Sequence, residues 1–263
     1  MRLVIKVGGR LLDSEESRYL VALQIAGQAA RGRRVVVVHG GGRQLSRYLE
    51  ARGVTSEFRN GFRVTTPETL EAVIKVLAGE VNLELVGALG QAGARAVGLT
   101  GADDGLARAT RLSAELGAVG RIERVCPDLL ELLTGKGYVP VVACLAGGRQ
   151  GEVYNVNADQ MAAVCAAYFL ADRLIFLTDV EGVLDEKGQV VRELTPAGAE
   201  ELAGRGVASG GMLAKLRAST SALRQGVPEV AIAAGAGPRI LAQLLAGGAV
   251  GTRMTAGTGA EGR

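Results

Sequence analysis

The chain has no tryptophan, one histidine, three cysteines and, among its 30 basic residues, only five lysines. The single histidine, His39, excludes a histidine-based catalytic triad and a multi-histidine metal site; it reads as structural or as a loop residue near a site. Cys126, Cys144 and Cys165 are odd in number and never form a Cys-x-x-Cys pair, so they read as small buried hydrophobes in a reducing cytosol. Aromatic residues make up 3% of the chain, the formal charge is only +3, and the arginines are scattered. That pattern gives no nucleic-acid or membrane partner. No apolar run approaches the roughly 18 residues of a membrane span. The N-terminus enters a strand pattern without the charged-then-apolar start of a signal peptide, and the expected location is cytoplasmic. There is no Walker A motif, internal repeat, low-complexity tract or Pro/Ser-rich linker. A literal G-x-G-x-x-G (Gly257, Gly259, Gly262) has no strand closely before it and no helix after it, so it is not a dinucleotide site.

What is present is alternation. Short β-rich apolar runs at 3–7, 34–38, 96–99, 138–144, 173–177 and 229–233 are separated by helical patterns at 15–31, 43–52, 67–91, 128–136, 158–171, 196–205, 212–225 and 238–246. This order predicts an α/β fold, a parallel sheet with helices on both faces. Asn60-Gly61 between alternating residues predicts a hairpin, and 106–125 a second non-parallel stretch with a further turn at 147–151. The helix over 67–91 has two apolar seams, one through Leu70, Val73, Leu77, Val81, Leu85 and Ala88, the other through Ala72, Val76, Leu83 and Val86. It is either a central core helix or one that packs on its own sheet and on a partner subunit.

Composition alone accounts for Lys75, Lys136 and Lys187. Lys6 and Lys215 stand apart, one running into Gly8-Gly9 and the other following Ser209-Gly210-Gly211-Met212. A compact ammonium on a flexible stem differs in use from a guanidinium. Gly8-Gly9 and Gly40-Gly41-Gly42 follow the first two strands, where glycine lets backbone N–H groups approach an anion and a helix adds its positive end. Tyr154-Asn155-Val156-Asn157-Ala158-Asp159 opens an apolar helix. Asn157 or Asp159 can cap it, but capping uses one polar residue and leaves others for a ligand. Asp179, at the polar end of an apolar strand, suits a magnesium–phosphate group, an adenine or ribose, or an ordinary turn. Lysines, glycine turns and ordering carboxylates together suit phosphoryl transfer, which needs substrates in line and positive charge around the moving group.

The series Lys6-Val7-Gly8-Gly9, His39-Gly40-Gly41-Gly42, Asn60-Gly61-Phe62-Arg63-Val64-Thr65, Asn155-Val156-Asn157-Ala158-Asp159, Leu177-Thr178-Asp179-Val180-Glu181-Gly182, Gly210-Gly211-Met212-x-x-Lys215 and Gly251-Thr252 resembles the amino acid kinase family, and within it the acetylglutamate branch. The lysine-glycine start and the Asp-x-x-Gly loop are shared across the family; the Asn-Gly-x-Arg-Val-Thr and Asn-x-Asn-Ala-Asp stretches are more specific. The resemblance runs in order from residue 2 to about 254. It implies a three-layer α/β/α sandwich with a mainly parallel open sheet of about eight strands. It also implies one domain over 1–263, with an N-lobe (about 1–172) for the acyl-amino acid, a C-lobe (about 173–254) for ATP, and a tail at 255–263.

The implied reaction is ATP-dependent phosphorylation of the γ-carboxylate of N-acetyl-L-glutamate, a step of arginine biosynthesis, with Mg2+ carried by ATP rather than by protein side chains. The implied roles are Lys6 and Lys215 on the transferring phosphoryl group, with Asp159 holding both. Gly41, Gly42, Arg63 and Asn155 bind the acyl-amino acid. Gly8, Gly9, Asp179, Val180, Glu181, Gly182, Val183, Leu184, Val207, Ala208 and Ser209 line the nucleotide site. Family members inhibited by arginine carry an extra N-terminal helix. Here Met1 alone precedes the first strand, and Val250-Gly251-Thr252-Arg253-Met254 lacks the Phe-Thr-Asp and glycine pattern of the effector site, so the expected type is the short, arginine-insensitive homodimer. The alternatives are a kinase of carrier-protein-linked aminoadipate or glutamate, for which 55–66 and 147–153 are only locally basic, and a non-catalytic sensor on the same fold.

Overall fold

A computed structural model of the chain describes residues 1–257. The strands are β1 (Arg2–Val7), β2 (Arg34–His39), β3 (Phe58–Arg59), β4 (Phe62–Arg63), β5 (Ala96–Gly101), β6 (Ala107–Arg111), β7 (Gly120–Val125), β8 (Val139–Gly147), β9 (Val153–Asn155), β10 (Arg173–Thr178), β11 (Glu193–Leu194), β12 (Glu229–Ala234) and β13 (Thr252–Met254). The helices are α1 (Glu15–Ala29), α2 (Gly42–Glu50), α3 (Pro67–Val73), α4 (Asn82–Gln91), α5 (Asp128–Gly135), α6 (Ala158–Tyr168), α7 (Pro196–Gly204), α8 (Gly210–Arg224) and α9 (Ile240–Leu245).

Eleven strands form one sheet in the order β11-β13-β12-β10-β1-β2-β8-β6-β7, with β5 and β9 also paired to β8. Through β12, β10, β1, β2, β8 and β5 the pairing is parallel. The sheet exceeds the expected eight or so strands through β9, β11 and β13, which have two or three residues each, too few for alternation to show in sequence. The central strands are apolar on both faces because both faces are covered. Val4, Ile5, Val36, Val37, Ile175 and Phe176 have no exposed surface. On one side α1 packs on α4 and α9, and α6 packs on α8, β1 and β10 in the other layer.

The β1–α1–β2 crossover runs one way across the sheet and β10 to β12 the other, so strand order reverses between β1 and β10. In open α/β sheets that reversal opens a crevice at the carboxyl ends of the strands. Register completes the geometry, since Val7 lies level with both Leu177 and His39. Gly8-Gly9, Gly40–Gly42 and Asp179 therefore emerge side by side.

The predicted Asn60-Gly61 hairpin is β3–β4, with φ of 51° and 82° at its two turn residues. The predicted stretch at 106–125 is the antiparallel pair β6–β7. The helix predicted over 67–91 is continuous, but its middle, Ile74–Val81, is wound as a π-helix. Its first seam faces inward, with Val73, Val81 and Leu85 fully buried. The second divides: Ala72 and Val76 are buried, whereas Leu83 is 69% exposed. Cys144 and Cys165 are buried thiols, pushed up to about 11 and about 12 by burial. No helix among the described residues is long and apolar enough to cross a membrane. β13 ends three residues before Gly257, so a strand does precede the glycine motif, contrary to expectation; residues 258–263, with Gly259, Gly262 and most of the expected tail, lie outside the described residues.

Candidate active site

Lys6 sits near the carboxyl end of β1, at the switch point, with 7% of its surface exposed. Its side chain reaches back over Gly8. A Cβ on Gly8 would lie 2.4 Å from Lys6 Nζ, so this glycine clears room for the ammonium. Lys6 Nζ lies 2.8 Å from Asp159 Oδ1 and Lys215 Nζ lies 3.4 Å from Asp159 Oδ2. The Lys6 contact is the shorter of the two ion pairs, and both carboxylate oxygens are taken up by ammonium groups. Burial alone would raise the Asp159 carboxyl; the Lys6 and then the Lys215 charge outweigh it and hold the pKa below the ordinary value. Burial, followed by the Lys6 charge, pushes Lys215 down against the pull of Asp159. Taking such charges out of water costs several kcal/mol each, and pairing offsets this at best. Two ammoniums on one carboxylate leave net positive charge, which suits an anionic ligand better than it suits stability.

The asparagine run resolves cleanly. Asn157 is the N-cap of α6, accepting from Asp159 N at 2.9 Å and Gln160 N at 3.1 Å. That leaves Asp159 free to face the lysines. Asn155, ending β9, donates from Nδ2 to the Thr65 hydroxyl at 3.1 Å.

A cavity of about 540 Å³ opens at the turns after β1 and β2, lined by Gly9, Gly41, Gly42, Ser46, Phe58 and Arg63 among others. Arg63 is buried, and its Nη2 donates to the Ser46 hydroxyl at 2.8 Å and to the Gly42 carbonyl at 3.2 Å. Nη1 donates to Ser56, and the Phe58 ring lies 4.6 Å from the guanidinium carbon. Burial lowers the Arg63 pKa, but an arginine stays charged in a protein. The hairpin thus carries a fixed planar cation into the cavity, which suits a carboxylate.

Across the switch point, Asp179, Val180, Glu181 and Leu184 are exposed, whereas Val183 is fully buried and Gly182 packs against β13. Thr252 Oγ1 accepts from Val183 N at 2.8 Å, which pins this loop to β13. Gly9, at φ +65°, would place a Cβ 3.2 Å from the Asp179 carboxylate, and Arg10 pairs with Asp179 at 3.9 Å. Ala208 is buried and Val207 half-buried, while Ser209 is the exposed N-cap of α8 with no side-chain capping bond. Gly210 and Gly211 are exposed in the first turn of that helix. Its N–H groups are thus open to an anion. Of the residues singled out in sequence, Lys6, Lys215 and Asp159 form one ion-paired cluster and Gly9, Gly41, Gly42 and Arg63 line one cavity, whereas Asn155 and the segments 179–184 and 207–209 are not among its lining residues. The sequence reading passed over Ser46 and Ser56, which brace Arg63, and Arg10. Ser46 carried a signal, four residues after Gly42 on the same face of α2.

Two lysines on one carboxylate, glycine turns at a switch point and an open helix N-terminus make an α/β site whose chemistry suits an anionic phosphoryl group. The chain belongs to the amino acid kinase family, whose signature spans residues 1–234. It is 56% identical to a Solibacter usitatus protein named acetylglutamate kinase, over 97% of this chain and 99% of that one. To the chloroplastic acetylglutamate kinase of Arabidopsis thaliana it is 39% identical, over 96% of this chain and 75% of the plant protein. Among solved structures, N-acetylglutamate synthase from Neisseria gonorrhoeae, complexed with coenzyme A and N-acetyl-glutamate, matches with a TM-score of 0.87 and 25% identity, over 97% of this chain and 59% of that one. As a member of a kinase family, the chain uses ATP.

Proposed function

We propose that the enzyme transfers the γ-phosphoryl group of ATP to the γ-carboxylate of N-acetyl-L-glutamate, giving N-acetyl-L-glutamyl 5-phosphate and ADP, in arginine biosynthesis in the cytoplasm. The observation that carries this reading is the convergence of Lys6 and Lys215 on Asp159. A carboxylate oxygen forms the new P–O bond while the bond from γ-phosphorus to the bridging oxygen breaks, and the electron pair leaves on ADP. The acceptor is already ionised at neutral pH, so no general base is required, in keeping with a chain that has one buried histidine. Lys6 and Lys215 neutralise charge on the moving group, and Asp159 keeps the two ammoniums apart and aimed. Arg63 and Asn155 take the α-carboxylate, with Gly41 and Gly42 beside them. Gly8, Gly9 and the start of α8 offer N–H groups to phosphates, and the segments Asp179–Leu184 and Val207–Ser209 border the nucleoside.

Mg2+ would come with ATP. Among the described residues no three His, Cys, Asp or Glu side chains cluster as a metal site, and Mg2+ is commonly bound by phosphates with one or two carboxylates; Asp179 is an exposed carboxylate beside Gly9. In this reading the N-terminal lobe (about 1–172) holds the acid and the C-terminal lobe (about 173–254) the nucleotide. The protein forms a homodimer through the outer face of the 67–91 helix, where Ile74 is 40% and Leu83 69% exposed.

ADP release with N-acetylglutamate, N-succinylglutamate, glutamate, aspartate and a carrier-linked acid tests the reading. Preference for N-acetylglutamate is expected. Turnover confined to the carrier-linked acid would replace it, and no turnover with any acid would return the chain to a sensor.

A further inference from the structure

His39 closes β2, is fully buried, and is used by no step of the proposed chemistry. Both its ring nitrogens are engaged. Nδ1 lies 2.7 Å from the Gly40 carbonyl oxygen, and Nε2 lies 2.9 Å from Asn82 Nδ2. The same Asn82 nitrogen donates to the Val141 carbonyl at 2.9 Å. A carbonyl only accepts, so the Asn82 atom between Val141 and His39 is the amide nitrogen. His39 Nε2 is then an acceptor and its proton sits on Nδ1, donated to Gly40. Burial pushes the imidazole pKa down to about 4, opposed by the Gly40 bond and assisted by the Lys6 charge, so the ring is neutral near pH 7.

Asn82 is the first residue of α4, where the π-helical segment ends. Its amide fills space left by a glycine, since a Cβ on Gly98 would lie 2.1 Å from Asn82 Oδ1. The π-helical segment also touches the next loop residue, because a Cβ on Gly41 would lie 2.4 Å from Leu77 Cδ2. The long helix therefore meets the glycine turn at two successive residues, through the polar relay at Gly40 and through direct packing at Gly41. Gly42, the third, accepts from Arg63. π-helical turns recur at functional sites, and a fully satisfied buried polar chain is rigid while each missing partner is costly.

We propose that Asn82 and His39 form a buried strut by which the 67–91 helix sets the Gly40–Gly42 turn, making both of them positioning residues for phosphoryl transfer. The proposal rests on the placement of the acyl-amino acid at that turn.

A double-mutant cycle tests it, using steady-state kinetics and thermal melting of the full chain, with whichever acid the wild type turns over best. Absence of turnover with N-acetylglutamate alone would overturn the substrate reading and leave the strut open to the same test. Asn82→Ala and His39→Asn are each expected to lower kcat about tenfold, as a displacement of part of an ångström at the turn does. If the two act as one device, the double variant also loses about tenfold rather than a hundredfold. KM for ATP should stay within about twofold, because the nucleotide wall is not held by this pair. Should the alanine variant not fold, Asn82→Ser, which keeps a donor too short to reach both partners, takes its place. A lowered melting temperature with unchanged kcat, or multiplicative losses in the double variant, would overturn the strut.

Discussion

Arg63 is braced by Ser46, Ser56 and the Gly42 carbonyl before any ligand arrives. Such a fork loses little freedom on pairing with a planar carboxylate. Arg63→Ala should therefore weaken the acyl-amino acid by about 2–4 kcal/mol, much of it from the substrate charge left unpaired. ATP affinity should hardly change. Separate calorimetric titrations of each ligand check this, and equal weakening of ATP would move Arg63 to the nucleotide side. His39 makes a prediction about acid. Its folded pKa of about 4 lies below the ordinary 6.5, so the unfolded chain takes up this proton first as pH falls. The stability present above pH 6.5 should then decline toward pH 4, by about 3 kcal/mol in all. Urea unfolding at several pH values between those limits gives the slope. A flat profile would mean that the ring is not held neutral.

At the scale of elements, the turns after β1 and β2 depend on glycine for different reasons. Gly41 is hemmed in by Leu77 and Val81 of the long helix, whereas the atoms nearest a Cβ on Gly8 all belong to the Lys6 side chain. Gly8→Ala should therefore fold nearly as well as the parent, since a flexible side chain can give way, while the ammonium is displaced from its position. A misplacement of about an ångström can cost on the order of 10² in rate, so kcat should fall steeply with little change in melting temperature. Retention of kcat would show that Lys6 does not depend on this clearance. These turns were legible in sequence because glycine clusters follow apolar strands. So were the hairpin, through Asn60-Gly61, and the central strands, through their unbroken apolar runs. The π-helical turn at Ile74–Val81 was not, since its apolar spacing is close to that of an α-helix. Asn82 was overlooked for a related reason: a lone polar residue in an apolar helix shows its meaning only when His39 and Val141, far away in sequence, are brought beside it.

The whole molecule joins two binding walls at a switch point that depends on strand order, and strand order is set by crossovers that no local pattern reveals. Sequence placed Lys6 and Asp179 at strand ends; only the fold puts those ends level. The same fold leaves one face of the 67–91 helix with Ile74 and Leu83 uncovered, beside β5, which pairs only with β8 among the described residues. Twofold pairing of such a face is the commonest way to cover it. Light scattering should give a dimer, and Ile74→Lys with Leu83→Lys should give monomers. A wild-type monomer at micromolar concentration would make the helix an ordinary edge of one subunit.

If Lys6 and Lys215 act together on a phosphoryl group moving to a carboxylate, the product is an acyl phosphate and can be trapped. Hydroxylamine converts an acyl phosphate to a hydroxamate, which can be followed over time for the wild type, Lys6→Ala and Lys215→Ala with ATP and N-acetyl-L-glutamate. ATP-dependent hydroxamate is expected from the wild type, with a loss of kcat on the order of 10²–10³ in each variant, as for removal of other preorganised donors. KM for both substrates should change far less, because the two ammoniums act on charge that moves only in the transition state. No hydroxamate from the wild type, or near-normal kcat in either variant, would contradict their joint action on the phosphoryl group.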